Sequence, residues 1–258
     1  MVGAAASADA VQRARRLPAL KVGLHIVLVD GRPVLPAARL SHLVDRAGSF
    51  RSDMFAMSVR IYFDARVRRQ VASEIAAQFE AFAATGLPLD HVDCHKHWHL
   101  HPTIAALILD EGRRYGISAL RIPSEPANVL KAAGIYRRSA SAAVIAACAA
   151  RLRERLRQDR LLAPDQVFGL AWSGAMTEPR VAALLRHLPE GASEIYTHPA
   201  TANSFAGAVP GYRYADELSA LVSPRIAAVI AANDIRLTTY SDIRGAAISA
   251  DSRGIGTS

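Results

Sequence analysis

Residues 21–29 have the sequence KVGLHIVLV, an apolar and β-branched run that is typical of a buried strand. The Asp30-Gly31 pair after it is a turn signal that ends the strand. Similar short runs recur along the chain, at residues 91–95, 119–123, 166–172, 193–197 and 235–240. The sequence therefore predicts about six short strands.

Helical patterns separate these runs. In the first of them, apolar residues recur at three- and four-residue intervals: Val67, Val71, Ile75, Phe79 and Phe82. Further helices are predicted over residues 103–115, 141–157, 177–187 and 216–232, the last bent at Pro224. This alternation predicts an α/β fold whose parallel strands are joined by helical crossovers.

The pattern alone leaves two α/β architectures open. A chain of 258 residues fits one (β/α) barrel, and it also fits an open doubly wound sheet. No G-x-G-x-x-G, G-x-x-x-x-G-K-[ST] or G-x-S-x-G motif follows a predicted strand. A dinucleotide-binding fold, a phosphate-binding loop and an α/β-hydrolase triad are therefore not supported.

The chain is strongly basic, with a formal net charge of +8. Arginine accounts for 28 of the 31 basic residues, and seven arginines lie within residues 137–160 at spacings that scatter around a helix. Aromatic residues make up only 6%, too few for a base-stacking platform. We expect a solvated helix face, rank an anionic membrane surface second, and expect no nucleic-acid partner.

We expect neither a disulfide framework nor a secretory signal nor a membrane span. The two cysteines, Cys94 and Cys148, make no disulfide framework. No basic start precedes an apolar core at the N-terminus, and no apolar run reaches the roughly 18 to 20 residues that span a bilayer. A cytoplasmic protein is therefore expected.

Five of the nine histidines fall in one stretch, HVDCHKHWHLHP, where a predicted strand leads into a helix. Four of them alternate with other residues, so an extended chain would point them to one side: His95, His97, His99 and His101. Imidazole is a common metal ligand, and the carboxylate of Asp93 could orient one through its other nitrogen. Because strand carboxyl ends carry active sites in parallel α/β folds, the stretch predicts a functional site rather than a surface histidine loop.

Two further histidines lie at or near strand ends. His25 lies inside the first strand, and taken alone it is typical of a hydrogen-bonded core residue. His198 follows the run SEIYT. Three histidine-bearing strands suggest that these side chains converge on one pocket.

Three motifs, in order, resemble one family. HVDCHKHWHLHP resembles the D-x-H-x-H-x-H motif of YdjC-type carbohydrate deacetylases, VGLHIVL resembles their G-x-H strand, and EIYTHPA resembles their E-x-x-x-H-P-A segment. The stretches GRPVLP and ALRIPSEP are most similar to the branch associated with hopanoid biosynthesis. The resemblance implies a TIM-like (β/α) barrel of parallel strands in a single domain over residues 1–245, followed by a disordered tail over residues 246–258.

The resemblance also implies a reaction. Family members remove an N-acetyl group from an amino sugar by hydrolysis, and in the hopanoid branch the substrate is an N-acetylglucosaminyl hopanoid lipid. One divalent metal ion is held by an aspartate and two histidines, which here are His25 and His95. The family points to magnesium, whereas two imidazoles and a carboxylate also suit zinc. His198 matches the position of the general acid, which protonates the leaving amine, or of a transition-state stabiliser.

The remaining predicted site residues fall into a catalytic group and a substrate-binding group. Asp93, the nearest carboxylate, is predicted to be catalytic together with His198. The predicted substrate-binding residues are Arg121, His97, His99 and Glu194. Glu125 could also hold sugar hydroxyls, whereas Trp98 and Trp172 are expected to pack in the core more than to stack on a sugar.

Partners and an alternative function follow from the same resemblance. The expected substrate is an amino sugar or a glycolipid, with peripheral contact to the inner membrane surface and a homodimer as further expectations. The competing hypothesis is a non-catalytic metal- or sugar-binding protein that retains the pocket. Release of acetate from N-acetylglucosamine conjugates separates the two.

The family's first strand ends in an Asp-Asp pair that supplies the metal's carboxylate ligand and the general base. No such pair occurs in this sequence, and residues 1–4 resemble the end of the family's second strand. We therefore expect a barrel without its first strand, which is metal-poor, marginally stable and nearly inactive. A misplaced start codon is favoured over a natural truncation, so the upstream reading frame is expected to encode the missing segment.

Overall fold

A computed structural model describes residues 1–135 and 140–245. Helices and short strands alternate along the chain, which confirms a mixed α/β fold. The elements are α1 (Ser7–Arg15), β1 (Val22–Ile26), α2 (Met54–Phe63), α3 (Ala65–Ala83), β2 (Leu89–Cys94), α4 (Pro102–Arg114), α5 (Ala127–Ala132), α6 (Ala140–Gln158), β3 (Gln166–Phe168), α7 (Glu178–Leu185), β4 (Ser193–Ile195), α8 (Tyr214–Leu221) and α9 (Pro224–Ala232). Two 3-10 segments, Ala37–Arg39 and His95–Leu100, lie between them.

The long helix α3 forms where the sequence predicts it. All five of its periodic apolar residues are buried, as one helical face packed on a core requires. Its N-terminus is capped by Asp64, whose carboxylate accepts a hydrogen bond from the backbone N–H of Arg66 at 2.8 Å. Packing against β1 and α4 then fixes this helix beside the strands that carry the histidines.

The strands pair in parallel, as predicted, but in short pieces. β1 pairs with β2, and β3 pairs with β4. The predicted strand over residues 119–123 is reduced to isolated parallel bridges, Val92 with Leu120 and Ala119 with Leu162. Within the described residues each sheet has two strands, so the predicted closed TIM-like barrel is not shown.

Two strands expected near the ends of the chain are not formed, whereas the bend predicted at Pro224 is present as a break between two helices. Residues 1–4 form no strand. The helix predicted over residues 216–232 is two helices, because Pro224 lacks a backbone N–H and Ser223 caps α9 with its side chain. Residues 235–239 form no strand either, because the N–H of Ile235 donates to the carbonyl of Ile230 in a C-terminal cap of α9. Residues 240–245, which include the end of the predicted strand, are helical.

The described residues group into two compact units. The first contains residues 1–122, 147–163 and 239–245, and the second contains residues 123–135, 140–146 and 164–238. The single domain expected over residues 1–245 stays a prediction, and the tail at residues 246–258 lies outside the described residues. No helix in the described part of the chain is both long and apolar enough to cross a bilayer.

Candidate active site

The neighbouring strands β1 and β2 bring a histidine and a carboxylate together. Their parallel register sets His25 beside Asp93 and Ile26 beside Cys94. The His25 Nδ1 lies 2.8 Å from the Asp93 Oδ2. His95, the first residue after β2, turns its Nδ1 toward the His25 Nε2 at 3.4 Å. The first unit therefore assembles both predicted metal ligands and Asp93 at the carboxyl ends of two adjacent strands.

Asp93 is a buried, permanently charged partner of His25. Burial by itself would raise the pKa of this carboxyl, but His25 and the Arg121 guanidinium outweigh burial and hold its pKa well below the usual range. Arg121 Nη1 forms an ion pair with the same Asp93 Oδ2. Because an ionised carboxylate only accepts hydrogen bonds, Nδ1 of His25 carries a proton toward Asp93, and Nε2 is the ring nitrogen that faces His95.

The two facing imidazoles fit part of a metal site. Zinc–nitrogen bonds of about 2.0–2.1 Å in a tetrahedral arrangement separate two ligand nitrogens by about 3.4 Å. That separation equals the 3.4 Å between His25 Nε2 and His95 Nδ1. However, no group of three or more His, Cys, Asp or Glu side chains within residues 1–135 and 140–245 is placed to hold a metal. The pair therefore fits two ligands of a divalent cation but not a complete set.

Arg121 is engaged inside the protein. Its guanidinium contacts Asp93, and only 15% of its side chain is exposed. Arg121 thus contacts Asp93, which in turn contacts His25, and little of its side chain reaches the surface. This favours a positioning role over the predicted contact with sugar hydroxyls.

The alternation of histidines predicted after β2 is wrong, because the chain does not stay extended. Residues 95–100 form a 3-10 segment in which Lys96 and His97 have positive φ angles of 51° and 53°. We name residues 95–101 the histidine segment. Lys96 forms an ion pair with Asp30, which supports this conformation from outside. The rings of His97 and His99 lie 6.2 Å apart, whereas His101 contacts Ser58.

The later residues of the histidine segment are anchored by hydrogen bonds. His99 is fully buried, and its Nε2 donates to the carbonyl of Arg121 at 2.7 Å. His101 Nε2 donates to the carbonyl of Ser58 at 3.2 Å, and Trp98 Nε1 donates to the Ser58 Oγ at 2.9 Å. A side chain without exposed surface is more suited to hold the segment than to bind substrate, so the placement of His99 favours a positioning role.

Burial keeps two of these histidines neutral. It lowers the pKa of His97 to about 3 and that of His99 to about 4, in both cases because desolvation penalises the charged imidazole. His97 is the less buried of the two, and it stays the better candidate for a substrate contact.

The second unit carries His198, with a carboxylate that the sequence did not reveal. The backbone N–H of His198 donates to Glu217 Oε2, and the imidazole Nδ1 lies 3.9 Å from the same oxygen. Glu217 is fully buried, although the sequence places it in an ordinary amphipathic helix. The rings of Tyr196 and Tyr212 flank the imidazole, with centroids at 5.7 and 5.2 Å. His198 is 39% exposed, so part of its imidazole reaches solvent beside the buried Glu217 carboxyl group.

Other predicted residues of the second unit have different surroundings. Glu194 is half-buried on β4, opposite Val167. Glu125 accepts hydrogen bonds from the backbone N–H groups of Gly169, Leu170 and Ala171. Its carboxyl oxygens are therefore used by the backbone of this loop, which disfavours the predicted contact with sugar hydroxyls. Trp172 is partly buried under the guanidinium of Arg180 at 5.1 Å.

A solved structure shares the fold. It comes from Enterococcus faecalis V583, where the protein carries the provisional name cellobiose-phosphate cleavage protein. The two structures superpose with a TM-score of 0.71 at 24% sequence identity, over 94% of this chain and 85% of the other. At that identity the likeness concerns the fold alone.

Proteins named carbohydrate deacetylase are similar in sequence. The Vibrio vulnificus (strain YJ016) protein is 39% identical over 117 residues, which cover 45% of this chain and only 44% of that relative. The Vibrio cholerae serotype O1 (Classical Ogawa 395) and Geobacillus stearothermophilus proteins are each 27% identical, over 93% and 94% of this chain and 82% and 84% of their own lengths. The family model described as YdjC-like protein matches residues 1–232. This chain belongs to the YdjC-like family.

Proposed function

We propose that this protein is a metal-dependent carbohydrate N-deacetylase, which hydrolyses the N-acetyl group of an amino sugar. The observation that carries the proposal is the His25–His95 pair, whose ring nitrogens face each other at 3.4 Å where two parallel strands end. Family membership and the similarity to carbohydrate deacetylases over most of their length support the same activity.

The roles of the chain's own residues follow from the geometry. A divalent cation bound here would polarise the amide carbonyl and lower the pKa of water. His25 would offer it Nε2 and His95 would offer it Nδ1. Asp93 fixes the tautomer and the ring plane of His25, while Arg121 keeps Asp93 ionised.

His198 is proposed as the acid that protonates the leaving amine nitrogen. Its imidazole is exposed, and the Glu217 carboxylate at 3.9 Å would stabilise the protonated ring that an acid requires. Both residues belong to the second unit. The resemblance of EIYTHPA to the family segment supports this role.

The proposed substrate is an N-acetylglucosamine conjugate, and specifically an N-acetylglucosaminyl hopanoid. Support for the lipid comes from the stretches GRPVLP and ALRIPSEP, which resemble the hopanoid-associated branch. The cation is proposed to be magnesium, from the family, or zinc, from the ligand types. The homodimer and the location at the inner membrane surface stay predictions.

One observation favours a non-catalytic metal- or sugar-binding protein as the second candidate. The described residues contain no complete group of three metal-binding side chains. Turnover needs a cation with a defined coordination shell, whereas weak binding of sugar or metal does not.

Acetate release from N-acetylchitooligosaccharides, measured beside metal content, tests the proposal. Protein supplied with zinc or magnesium should release acetate at a measurable rate, although the sequence lacks the family's Asp-Asp pair and is therefore expected to have low activity. His95→Ala should lose acetate release and bound metal together, whereas His187→Ala, which changes an exposed histidine, should lose neither. Full metal occupancy in His95→Ala would remove the ligand role, and metal or sugar binding without acetate release would favour the second candidate.

A further inference from the structure

The helix α2 carries an unusual outward face. Phe55 is 81% exposed and Phe63 is 76% exposed, and Val59 and Tyr62 lie on the same side of the helix with 45% and 55% exposed. Residues four and seven positions apart share one helical face, so these side chains form a continuous apolar strip. A strip of large apolar side chains facing water marks a contact surface.

The opposite face of α2 is firmly anchored, so the aromatic strip is not a product of fraying. Met57 and Ile61 are buried in the core of the first unit. Ser58 receives the two hydrogen bonds from Trp98 and His101 described above. The helix is therefore fixed to the core and to the histidine segment, which also contacts Tyr62 at the edge of the strip, while Phe55, Val59 and Phe63 face outward.

Positive charge flanks the strip in sequence. Arg51, Arg66 and Arg69 are exposed, and none forms an ion pair with a residue in the described part of the chain. The acidic residues nearest in sequence, Asp53 and Asp64, accept backbone N–H groups at the N-termini of α2 and α3. Two copies of the chain joined through this face would bring their arginines together, whereas an anionic surface would neutralise them.

The strip continues into a concave apolar space. Tyr62 also lines a cavity of about 730 Å³, whose walls include Leu100, Leu109 and Leu152. Arg151, at the edge of this cavity, is exposed. Flexible hydrocarbon chains fill such a space readily, so the cavity adds apolar contact area for a lipid.

We propose that the outward face of α2 docks on an anionic lipid bilayer. Phe55, Tyr62 and Phe63 enter the boundary between headgroups and acyl chains, and the flanking arginines contact lipid phosphates. This inference goes beyond deacetylation and does not require it, because binding to lipid is measured without turnover.

Co-sedimentation of the whole protein with vesicles tests the docking. Vesicles of phosphatidylcholine mixed with phosphatidylglycerol are compared with pure phosphatidylcholine vesicles, at about 0.1 M and about 1 M NaCl. The wild-type protein should bind the anionic vesicles, and more weakly at high salt. Phe55→Ser/Phe63→Ser should lower the partition coefficient at least about tenfold, from the loss of two buried aromatic side chains. The matched control Val222→Ser/Leu237→Ser, which removes exposed apolar residues elsewhere, should bind as wild type.

A charge variant gives an independent measure. Arg51→Gln, Arg66→Gln and Arg69→Gln should each lower binding to anionic vesicles roughly fivefold, because one basic residue near such a surface contributes about 1 kcal/mol. Wild-type protein that ignores anionic vesicles, or Phe55→Ser/Phe63→Ser that binds as wild type, would overturn the proposal. A wild-type dimer that becomes a monomer in Phe55→Ser/Phe63→Ser, measured by light scattering, would assign the face to a second copy instead.

Discussion

Replacing Asp93 by asparagine should weaken both stability and metal binding. The change keeps the shape but removes the charge that holds His25 and Arg121. Only 7% of the Asp93 side chain and 15% of the Arg121 side chain are exposed, so the ion pair is nearly buried. Removing one partner of a buried pair costs about 3–5 kcal/mol, because the other charge is left uncompensated. Loss of a carboxylate that orients a ligand histidine lowers metal affinity about 10–100-fold.

Urea unfolding and metal titration measure the two effects separately. Asp93→Asn should lower the free energy of unfolding by about 3–5 kcal/mol, while Asp93→Asn/Arg121→Met should recover much of the loss by removing both charges. Asp30→Asn is the matched control, since Asp30 also pairs with a cation but at an exposed position, where the cost is about 0–1 kcal/mol.

The metal titration decides whether Asp93 acts through His25. If Asp93→Asn binds zinc as tightly as the wild-type protein, Asp93 does not orient a ligand. If it is also as stable as Asp30→Asn, the ion pair with Arg121 contributes nothing and the description of the site is incorrect.

Three further predictions concern other parts of the molecule. Lowering the pH from about 6.5 toward about 4 should reduce the free energy of unfolding. The pKa of His99 is lowered to about 4 in the folded protein, so in this pH range His99 takes up a proton only in the unfolded chain. In urea unfolding, His99→Gln should reduce the slope of the free energy of unfolding against pH by up to about 1.4 kcal/mol per pH unit. Glu125→Ala should cost about 1–3 kcal/mol, since three backbone N–H groups lose their acceptor, whereas Glu190→Ala at an exposed position should be neutral by the same measurement. His198→Ala should lower kcat for acetate release about 10²–10⁴-fold with unchanged metal content, and an unchanged kcat would remove His198 from the mechanism.

The regular parts of the fold could be predicted because their signals are local. Five apolar residues at helical spacing identify α3, and the β-branched run around His25 identifies β1. Residues 235–240 show the limit of such patterns. Their apolar residues suggest a strand, but the backbone N–H of Ile235 donates to Ile230 at the C-terminus of α9, and Leu237 is 76% exposed. The conformation of these residues depends on where α9 ends, and periodicity does not show that position.

The candidate site was predictable in its residues more than in its geometry. The family resemblance pointed to His25 and His95 as a pair, and the parallel register brings them together. Alternation failed after Cys94, because left-handed backbone at Lys96 and His97 costs about 1–2 kcal/mol per residue and is maintained by contacts distant in sequence. Glu217 was missed, because burial of a helical glutamate is decided by tertiary packing.

The division of the first unit into separate stretches has a consequence for biosynthesis. The N–H and hydroxyl of Ser241 both donate to Asp90, a residue 151 positions earlier in the chain. The second stretch of this unit ends at residue 163. A ribosome that adds about 5–20 residues per second needs about 4–16 s to synthesise the chain from there to residue 241. During that interval β2 has emerged without the segment that binds its first residues, so the nascent chain would benefit from a chaperone until its last helical turn is made.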